Sequence, residues 1–308
     1  MKQQVGGYAA SHRAGQGAVF LCAVLWSTSG LFIKLVDWHP LVIAGTRSFL
    51  AVLLLLAFKL WRAQRAVRPG AKKAPTFQRE PGLFGIPGFS VYTLAGGIAY
   101  AATMVSFVIA NKLTASANAV LLQYSAPIWT ALLGWLIAKE KLRWEHWGAL
   151  VLVMGGMVLF FKDGLSGGAL LGDCIAIFSG IAFGAQAAFM RMIKDGDPAD
   201  SMLLAHIFTA LAGLPFIFIY PPALSGGTVL AVLFMGFIQI GAASLLFSYG
   251  IKRVTAIQAM LTAMIEPVLN PVWVLLVTGE RPTVSALIGG GIIITAVVGS
   301  SVIGRRRR

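Results

Sequence analysis

Ten stretches of about 20 mostly apolar residues follow one another along the chain, and they limit its possible folds more than any other feature. A helix needs about 20 apolar residues to cross the ~30 Å hydrocarbon core of a bilayer. The predicted spans are residues 17–36, 40–60, 88–110, 115–137, 145–161, 169–190, 201–219, 227–249, 255–277 and 283–303. Hydrophobic residues make up 57% and charged residues 12% of the 308 residues, whereas soluble domains average about 45–50% and about 25%. The sequence therefore predicts an all-α polytopic membrane protein with ten transmembrane helices.

Lysine and arginine residues indicate which side of the membrane each loop faces. If the N-terminus is cytoplasmic and the side alternates at each span, the cytoplasmic segments hold all but five of the 25 Lys and Arg residues. Four of these five, Lys34, Lys112, Lys162 and Arg281, are outside, and Arg47 lies within a span. Retention of positive charge in cytoplasmic loops produces this asymmetry. We therefore expect an inner (plasma) membrane protein with both termini in the cytoplasm.

The same residues argue against several other classes of protein. The net charge of +14 is spread over short clusters without interleaved aromatics, so we expect no nucleic-acid partner. Cys22 and Cys174 form no CxxC pair, and the four histidines lack the spacing of metal ligands, so we expect no metal and no cofactor. No GxxxxGK phosphate loop is found, which argues against an ATP-driven pump.

A shift of 140 residues aligns the chain with itself without a gap. The matched pairs are Gly96 with Gly236, Phe107 with Phe247, Lys112 with Lys252, Ala119 with Ala259, Pro127 with Pro267, and Glu140 with Glu280. The proline and glutamate matches carry most weight because both residues are rare in apolar segments. Five spans separate the copies, and an odd number of crossings gives the copies opposite orientations. The sequence therefore predicts two inverted five-helix repeats, with a substrate site near the midplane between them.

The repeat divides the chain into two halves with short flanking segments. The predicted divisions are a cytoplasmic N-terminal tail at 1–16, the first repeat at 17–161, a connector at 162–168, the second repeat at 169–303 and a basic cytoplasmic C-terminus at 304–308. A basic cytoplasmic loop at about 62–87 interrupts the first repeat.

Short motifs in both halves resemble the EamA-type repeats of the drug/metabolite transporter (DMT) superfamily. They are Leu25-Trp26-Ser27-Thr28, Gly45-Thr46-Arg47-Ser48-Phe49, Ser125-Ala126-Pro127-Ile128-Trp129, Ala138-Lys139-Glu140-Lys141-Leu142, Ile265-Glu266-Pro267-Val268 and Thr278-Gly279-Glu280-Arg281-Pro282. The resemblance covers the chain from about residue 17 to residue 303. Lys139 departs from the family pattern, which usually has glycine before the glutamate, as the second half does at Gly279.

The resemblance implies export or exchange of small metabolites, often amino acids, through a central cavity lined by both halves. We therefore expect a secondary transporter, not an enzyme, that moves an amino acid or related compound outward by alternating access. Two alternatives remain: a membrane-embedded enzyme, for which no constellation of catalytic residues is visible, and a non-transporting sensor or assembly subunit. The oligomeric state is left open by the sequence.

Glu266 is the one acidic residue well inside a predicted span. A carboxylate in hydrocarbon costs about 2.5–3.5 kcal/mol or more, so it should face a cavity or a partner. It either binds a substrate amine or a proton, or it accepts hydrogen bonds from backbone groups that Pro267 leaves free. Thr262, Glu266 and Asn270 recur every fourth residue and predict one polar stripe on the ninth helix.

Other charged residues and prolines are assigned gating or structural roles. Arg47 either fixes the second helix or meets a substrate carboxylate. Glu140 and Glu280 lie at helix ends, where a carboxylate can hold a neighbouring loop. Pro127 and Pro267 interrupt the fourth and ninth helices at matched positions, which is a sequence indication of a transporter site. The remaining predicted substrate-binding residues are polar or aromatic mid-span positions: Trp26, Tyr100, Gln123, Tyr124, Gln186, Gln239 and Ser244.

Overall fold

The computed structural model describes residues 2–67, 83, 86, 88–114, 116–137, 139–140, 143–165, 170–279 and 283–306. Most of the predicted basic loop at 62–87, the end of the connector, Glu280 and the last two arginines lie outside the described residues, as does the side chain of Asn270. Within this part of the chain the secondary structure is helical and contains no strand.

The helices follow the predicted spans. They are α1 (Lys2–Ser27), α2 (Ser29–Leu35), α3 (Pro40–Val67), α4 (Val91–Leu113), α5 (Ser116–Gln123), α6 (Ala126–Leu136), α7 (Trp144–Phe161), α8 (Leu170–Met192), α9 (Pro198–Gly213), α10 (Phe216–Ile219), α11 (Gly226–Leu233), α12 (Ala243–Ile251), α13 (Ala256–Ala263), α14 (Ile265–Thr278) and α15 (Val284–Arg306). A π-helix, Phe234–Ala242, joins α11 to α12, and a 3-10 turn, Lys162–Gly164, follows α7. Helix α1 continues through most of the segment predicted to be an N-terminal tail.

Seven helical segments of the described chain are long and apolar enough to cross a membrane. They are Pro40–Arg65, Val91–Ala110, Asn118–Leu136, Trp144–Phe161, Leu170–Met192, Pro198–Ile219 and Gly226–Ile251. Two shorter apolar helices, Ala256–Leu269 and Val284–Gly299, lie in the ninth and tenth predicted spans. The first predicted span is broken between α1 and α2. These segments confirm the prediction of an all-α polytopic membrane protein.

Local sequence explains where several helices begin. Ser90 and Thr93 form a capping box at the start of α4, and Thr255 and Gln258 form another at α13. Asp197 accepts a hydrogen bond from the N–H of Ala199 at the start of α9. These side chains bond backbone N–H groups that have no partner within the helix.

The spans pack in pairs that relate the two halves of the chain. Helix α7 packs on α15 and α3 on α9; α4 packs on α8 and α9, while α12 packs on α1 and the π-helix on α3. Exchanging the first five spans for the last five converts each of these contacts into itself or into another of them. The contact of α4 with α8 becomes that of α12 with α1, and the contact of α4 with α9 becomes that of the π-helix with α3. A two-fold repeat predicts such an exchange; the inverted orientation of the two halves stays a prediction.

Polar contacts between the ends of spans join segments that are predicted to share one side of the membrane. Lys59 pairs with Asp200 at 2.6 Å and Arg62 with Asp197 at 2.7 Å. At the other end, Trp38 Nε1 donates to the carbonyl of Ala223 at 2.8 Å. These contacts agree with the alternation of ten spans.

Glycine allows close approach of α7 and α15. A Cβ on Gly289 would lie 2.5 Å from the carbonyl oxygen of Gly156 and 2.6 Å from the backbone nitrogen of Phe160. Contacts of this length with backbone atoms require the helices to separate. Because apolar burial gives helices in lipid no driving force to associate, close packing at small residues stabilises the pair.

We expect Gly289→Ala to lower the free energy of unfolding by about 1–3 kcal/mol, because the added methyl group overpacks the contact with α7. Gly291→Ala is the matched control, since a Cβ there meets nothing within 4 Å. The measurement is the thermal unfolding temperature of each purified variant in detergent. Equal temperatures for the two variants would show that α7 and α15 do not depend on this contact.

Candidate functional site

A cavity of about 360 Å³ lies among α1, α3, α4, the α5–α6 break, α8, the π-helix and α14. Elements of both halves line it. Of the predicted site residues, it brings together Trp26, Arg47, Tyr100, Gln123, Tyr124, Gln239 and Glu266. It therefore collects most of the mid-span polar residues in one place.

Helix α3 contributes one face of two turns to the cavity. Pro40, Ile43, Ala44 and Arg47 follow the i, i+3, i+4, i+7 spacing of a helix face and all line the cavity. The buried Nε of Arg47 has no hydrogen-bond partner among the described residues. Arg47, predicted to have a gating or structural role, thus presents its guanidinium to the cavity.

Glu266 lies in the first turn of α14, directly after the break between α13 and α14. Its side chain lines the cavity together with that of Tyr124. Tyr124 occupies the corresponding break between α5 and α6, and the two breaks bring the two side chains to the cavity.

Pro127 and Pro267 both lie in the first turn of the helix that resumes after each break. The first N–H groups of a helix have no intrahelical acceptor, so proline costs no hydrogen bond there. The structure thus confirms that the fourth and ninth spans are interrupted at matched positions. It also separates Thr262 in α13 from Glu266 in α14, so the predicted stripe does not run along one continuous helix.

Aromatic side chains form one wall of the cavity. The ring centroid of Trp26 lies 6.2 Å from that of Tyr100, 6.1 Å from Phe183 and 5.5 Å from Phe247. All four rings are at most 7% exposed, and three of them, Trp26, Tyr100 and Phe183, line the cavity and give it a fixed apolar surface. The Nε1 of Trp26 has no hydrogen-bond partner among the described residues.

Two glutamines differ in how their polar groups are used. Gln123 Nε2 donates to Ser179 Oγ at 3.0 Å, and Ser179 Oγ donates to the carbonyl of Thr103 at 3.1 Å. Gln239, on the π-helix, donates through Nε2 to the carbonyl of Trp26 at 3.4 Å. Its buried Oε1 has no partner in the described part of the chain. Gln239 therefore retains a free acceptor, as Trp26 retains a free Nε1 donor.

Among the predicted substrate-binding residues whose side chains the structure describes, three do not line the cavity. Gln186 donates to the sulfur atoms of Met190 and Met202. Ser244 bonds to His206 at 2.9 Å and to the carbonyl of Ile240 at 2.7 Å. Thr262 donates to the carbonyl of Gln258. Each satisfies a neighbouring group within the helix bundle, so the cavity geometry gives no support to a substrate contact at these positions.

Several cavity residues escaped the sequence prediction because they are apolar or weakly polar. Phe183, Thr103, Met104 and Phe107 line the cavity. Three of them share a face of α4 with Tyr100, at the spacing i+3, i+4 and i+7, and this spacing was a usable signal. Phe183 had no such signal, because one phenylalanine in an apolar span resembles any other.

Among the described lining residues, Arg47 and Glu266 are the two that carry charge. No ion pair within 4.0 Å joins them in this part of the chain. Buried polar atoms almost always have partners in folded proteins, so one guanidinium, one carboxylate and free hydrogen-bonding atoms in one cavity indicate a binding site. No group of three or more His, Cys, Asp or Glu suited to a metal ion occurs among the residues searched.

Glu140, predicted to have a gating or structural role, lies away from the cavity at the other end of α6. It accepts a hydrogen bond from Arg191 Nε at 3.0 Å. Its repeat-related residue, Glu280, lies outside the described residues.

A bundle of apolar helices around a central cavity that holds a few charged and polar groups has the architecture of a membrane transporter. The EamA-like transporter family matches residues 13–162 and 170–302, and the chain belongs to this family. The two matched regions correspond to the two halves of the chain, and the resemblance drawn from the short motifs is thereby confirmed.

Similar proteins are transporters by name. A protein called an uncharacterized transporter from Archaeoglobus fulgidus is 25% identical over 287 residues, which cover 93% of this chain and 96% of that protein. The uncharacterized transporter YdfC of Bacillus subtilis is 26% identical over 89% of this chain and 86% of its own length. Human solute carrier family 35 member G1 is 24% identical over 62% of this chain and 51% of its own.

A solved crystal structure shares the fold. It superposes with a TM-score of 0.74 at 19% sequence identity and covers 97% of this chain and 99% of its own. The architecture of the whole chain is thus one that a crystallised protein also adopts.

Arg47→Gln tests whether this arginine binds a ligand or holds the fold. A buried charge that anchors the fold would cost about 3–5 kcal/mol to disrupt, whereas one desolvated for binding costs little or nothing to remove. We expect the unfolding temperature of ligand-free protein to stay the same or rise. Arg191→Gln is the control and should lower it, because Arg191 bonds Glu140 and the carbonyl of Lys252. A large fall in the unfolding temperature of Arg47→Gln would show that Arg47 stabilises the fold.

Proposed function

We propose that this transporter is a secondary transporter for an amino acid or related compound, and that the central cavity is its substrate site. The observation that carries the proposal is the presence of Arg47 and Glu266 in one cavity without an ion pair between them. A zwitterion supplies a carboxylate for the guanidinium and an ammonium group for the carboxylate. Each charge in the cavity is then neutralised by the substrate, which repays part of its desolvation.

The aromatic wall fits the remaining part of such a substrate. Trp26, Tyr100 and Phe183 present fixed apolar surface beside the charged pair. Small-ligand sites combine a mostly apolar lining with a few placed polar groups, in volumes of about 300–1,000 Å³. The cavity of about 360 Å³ is of that kind and has room for one small metabolite.

We further propose that the protein resides in the inner (plasma) membrane with both termini in the cytoplasm and moves its substrate outward by alternating access. The excess of Lys and Arg in the segments assigned to the cytoplasm supports this orientation. Residues near the predicted outer ends of spans, Ser29, Pro40 and Val108, line the cavity. The conformation is then the outward-open one, from which a substrate carried from the cytoplasm is released.

The test is flux of labelled amino acids by the purified protein in liposomes, with Glu266→Gln beside the parent. We expect saturable flux that an excess of unlabelled substrate inhibits. Glu266→Gln should reduce it roughly tenfold to hundredfold, because a charge-assisted hydrogen bond contributes about 1.5–3 kcal/mol.

Glu145→Gln is the matched control. Glu145 is equally an acidic side chain, only 4% exposed, and lies at the start of α7 away from the cavity. If flux persists in Glu266→Gln, the protein is still a transporter, but Glu266 does not contribute to substrate binding. No flux with any amino acid would contradict the substrate class and direct the panel to other metabolites.

A further inference from the structure

The cavity reaches only one end of the helix bundle. On α3 its lining stops at Arg47, two turns from the start of a helix that continues to Val67. On α4 the lining begins at Tyr100, more than two turns after the start of the helix, and continues to Val108, near its end. The ends of the spans predicted to face the cytoplasm contribute no described residue to the lining, so the bundle is closed there.

Glu140 joins the two halves of the chain at this closed end. It follows α6 in the first half, and its Oε1 accepts from Arg191 Nε on α8 at 3.0 Å. Its Oε2 accepts from the backbone N–H of Ala256, the first residue of α13, at 3.1 Å. Arg191 Nη1 also donates to the carbonyl of Lys252, at 3.0 Å. The Glu140 carboxylate thus holds two segments of the second half, α8 and α13, through charge-assisted hydrogen bonds.

Two other ion pairs between the halves lie at the same end but are more exposed. The side chains of Lys59 and Asp200 are 48% and 23% exposed, and those of Arg62 and Asp197 are 59% and 39% exposed. Arg191 and Glu140 are 32% and 17% exposed. Exposed pairs contribute little because water and salt screen them. Glu140 therefore provides the strongest of these polar connections between the halves.

The residue that positions Glu140 is strained. Lys139 has φ of +51°, and among the described residues it is the only one other than glycine with positive φ. Its repeat-related residue is Gly279, which has φ of +77° and ends α14. Both halves therefore turn the chain through the left-handed region at the same position. Glycine adopts this backbone conformation without steric cost, whereas a residue with a Cβ adopts it only at a cost in free energy.

We propose that Glu140, with Arg191 and the Ala256 N–H group, is the latch that closes the cytoplasmic end, and that the left-handed backbone of Lys139 keeps this latch weak enough to open. The proposal rests on alternating access in the proposed function. Opening the cytoplasmic end requires the halves to part where Glu140 joins them. Release of the strain at Lys139 offsets part of the free energy lost with those hydrogen bonds.

The experiment measures access to a cysteine behind the latch. Thr130 is fully buried on α6 and, with Glu140 and Thr255, lines a small space beneath the latch. Thr130→Cys, in a full-length chain with Cys22→Ala and Cys174→Ser, reacts with N-ethylmaleimide only when that end opens. The rate of alkylation of purified protein in detergent reports the open population.

We expect Glu140→Gln to speed alkylation roughly tenfold, and Lys139→Gly to slow it roughly fivefold to tenfold, since glycine removes the strain and leaves the latch in place. Asp200→Asn is the matched control and should change the rate less than about twofold, because it removes a carboxylate from an exposed pair at the same end. Partial unfolding would expose the introduced cysteine and speed its alkylation. Slower alkylation of Lys139→Gly therefore could not result from misfolding.

Two results would overturn the latch: alkylation of Glu140→Gln at the rate of the parent, or alkylation of Lys139→Gly that is not slowed. The assay needs no substrate, so its outcome is separate from the flux measurement. Flux with unchanged alkylation rates would reject the latch and keep the proposed function. Altered alkylation rates without amino acid flux would support the latch and contradict the proposed substrate class.

Discussion

Hydrocarbon cannot hydrogen-bond to backbone N–H and C=O groups, and this constraint determines where the helices are allowed to break. Interrupted helices are tolerated at membrane depth only where the freed groups meet protein or a water-filled space. Three breaks and one π-helix contribute residues to the cavity: the α1–α2 break supplies Trp26 and Ser29, the α5–α6 break Tyr124, the α13–α14 break Glu266 and the π-helix Gln239. Both the irregular backbone and the polar side chains require a space away from lipid, and the cavity provides that space for both.

The two halves share a scaffold but not its chemistry. Glu266 corresponds to Ala126 at the shift of 140 residues, while the prolines that follow both are the same. The repeat therefore preserves the break and its proline, which shape the backbone, and differs in the side chain that carries charge. Such a division lets a duplicated fold keep its packing while one copy of a position places a charged side chain in the cavity.

The sequence predicted the spans, their order and the two interrupted helices, because apolar length and proline act locally. It also identified Trp26, Tyr100, Tyr124, Gln239 and Glu266 as mid-span candidates, and the cavity brings these together. The predicted stripe of Thr262 with Glu266 treated both residues as part of one helix, whereas Pro267 indicated an interruption without its exact position; the structure places the break between these two residues. The position of Arg47 in the cavity and the ion pair of Glu140 with Arg191 depend on which helices become neighbours, and one sequence does not give that arrangement.

The π-helix gives the two halves unequal shapes at equal length. Residues 234–242 form the π-helix, whereas the repeat-related residues 94–102 lie within the regular α-helix α4, and no gap separates the copies in the alignment. The turns of a π-helix are wider than those of an α-helix, so the lining that Gln239 and Ile240 supply differs in backbone shape from the repeat-related part of α4. A metabolite bound in the cavity, as proposed above, would lie nearer one half than the other. In the transport cycle proposed above, the inward-open state would then not be the outward-open state with its halves exchanged, and the two strokes would have different energy barriers.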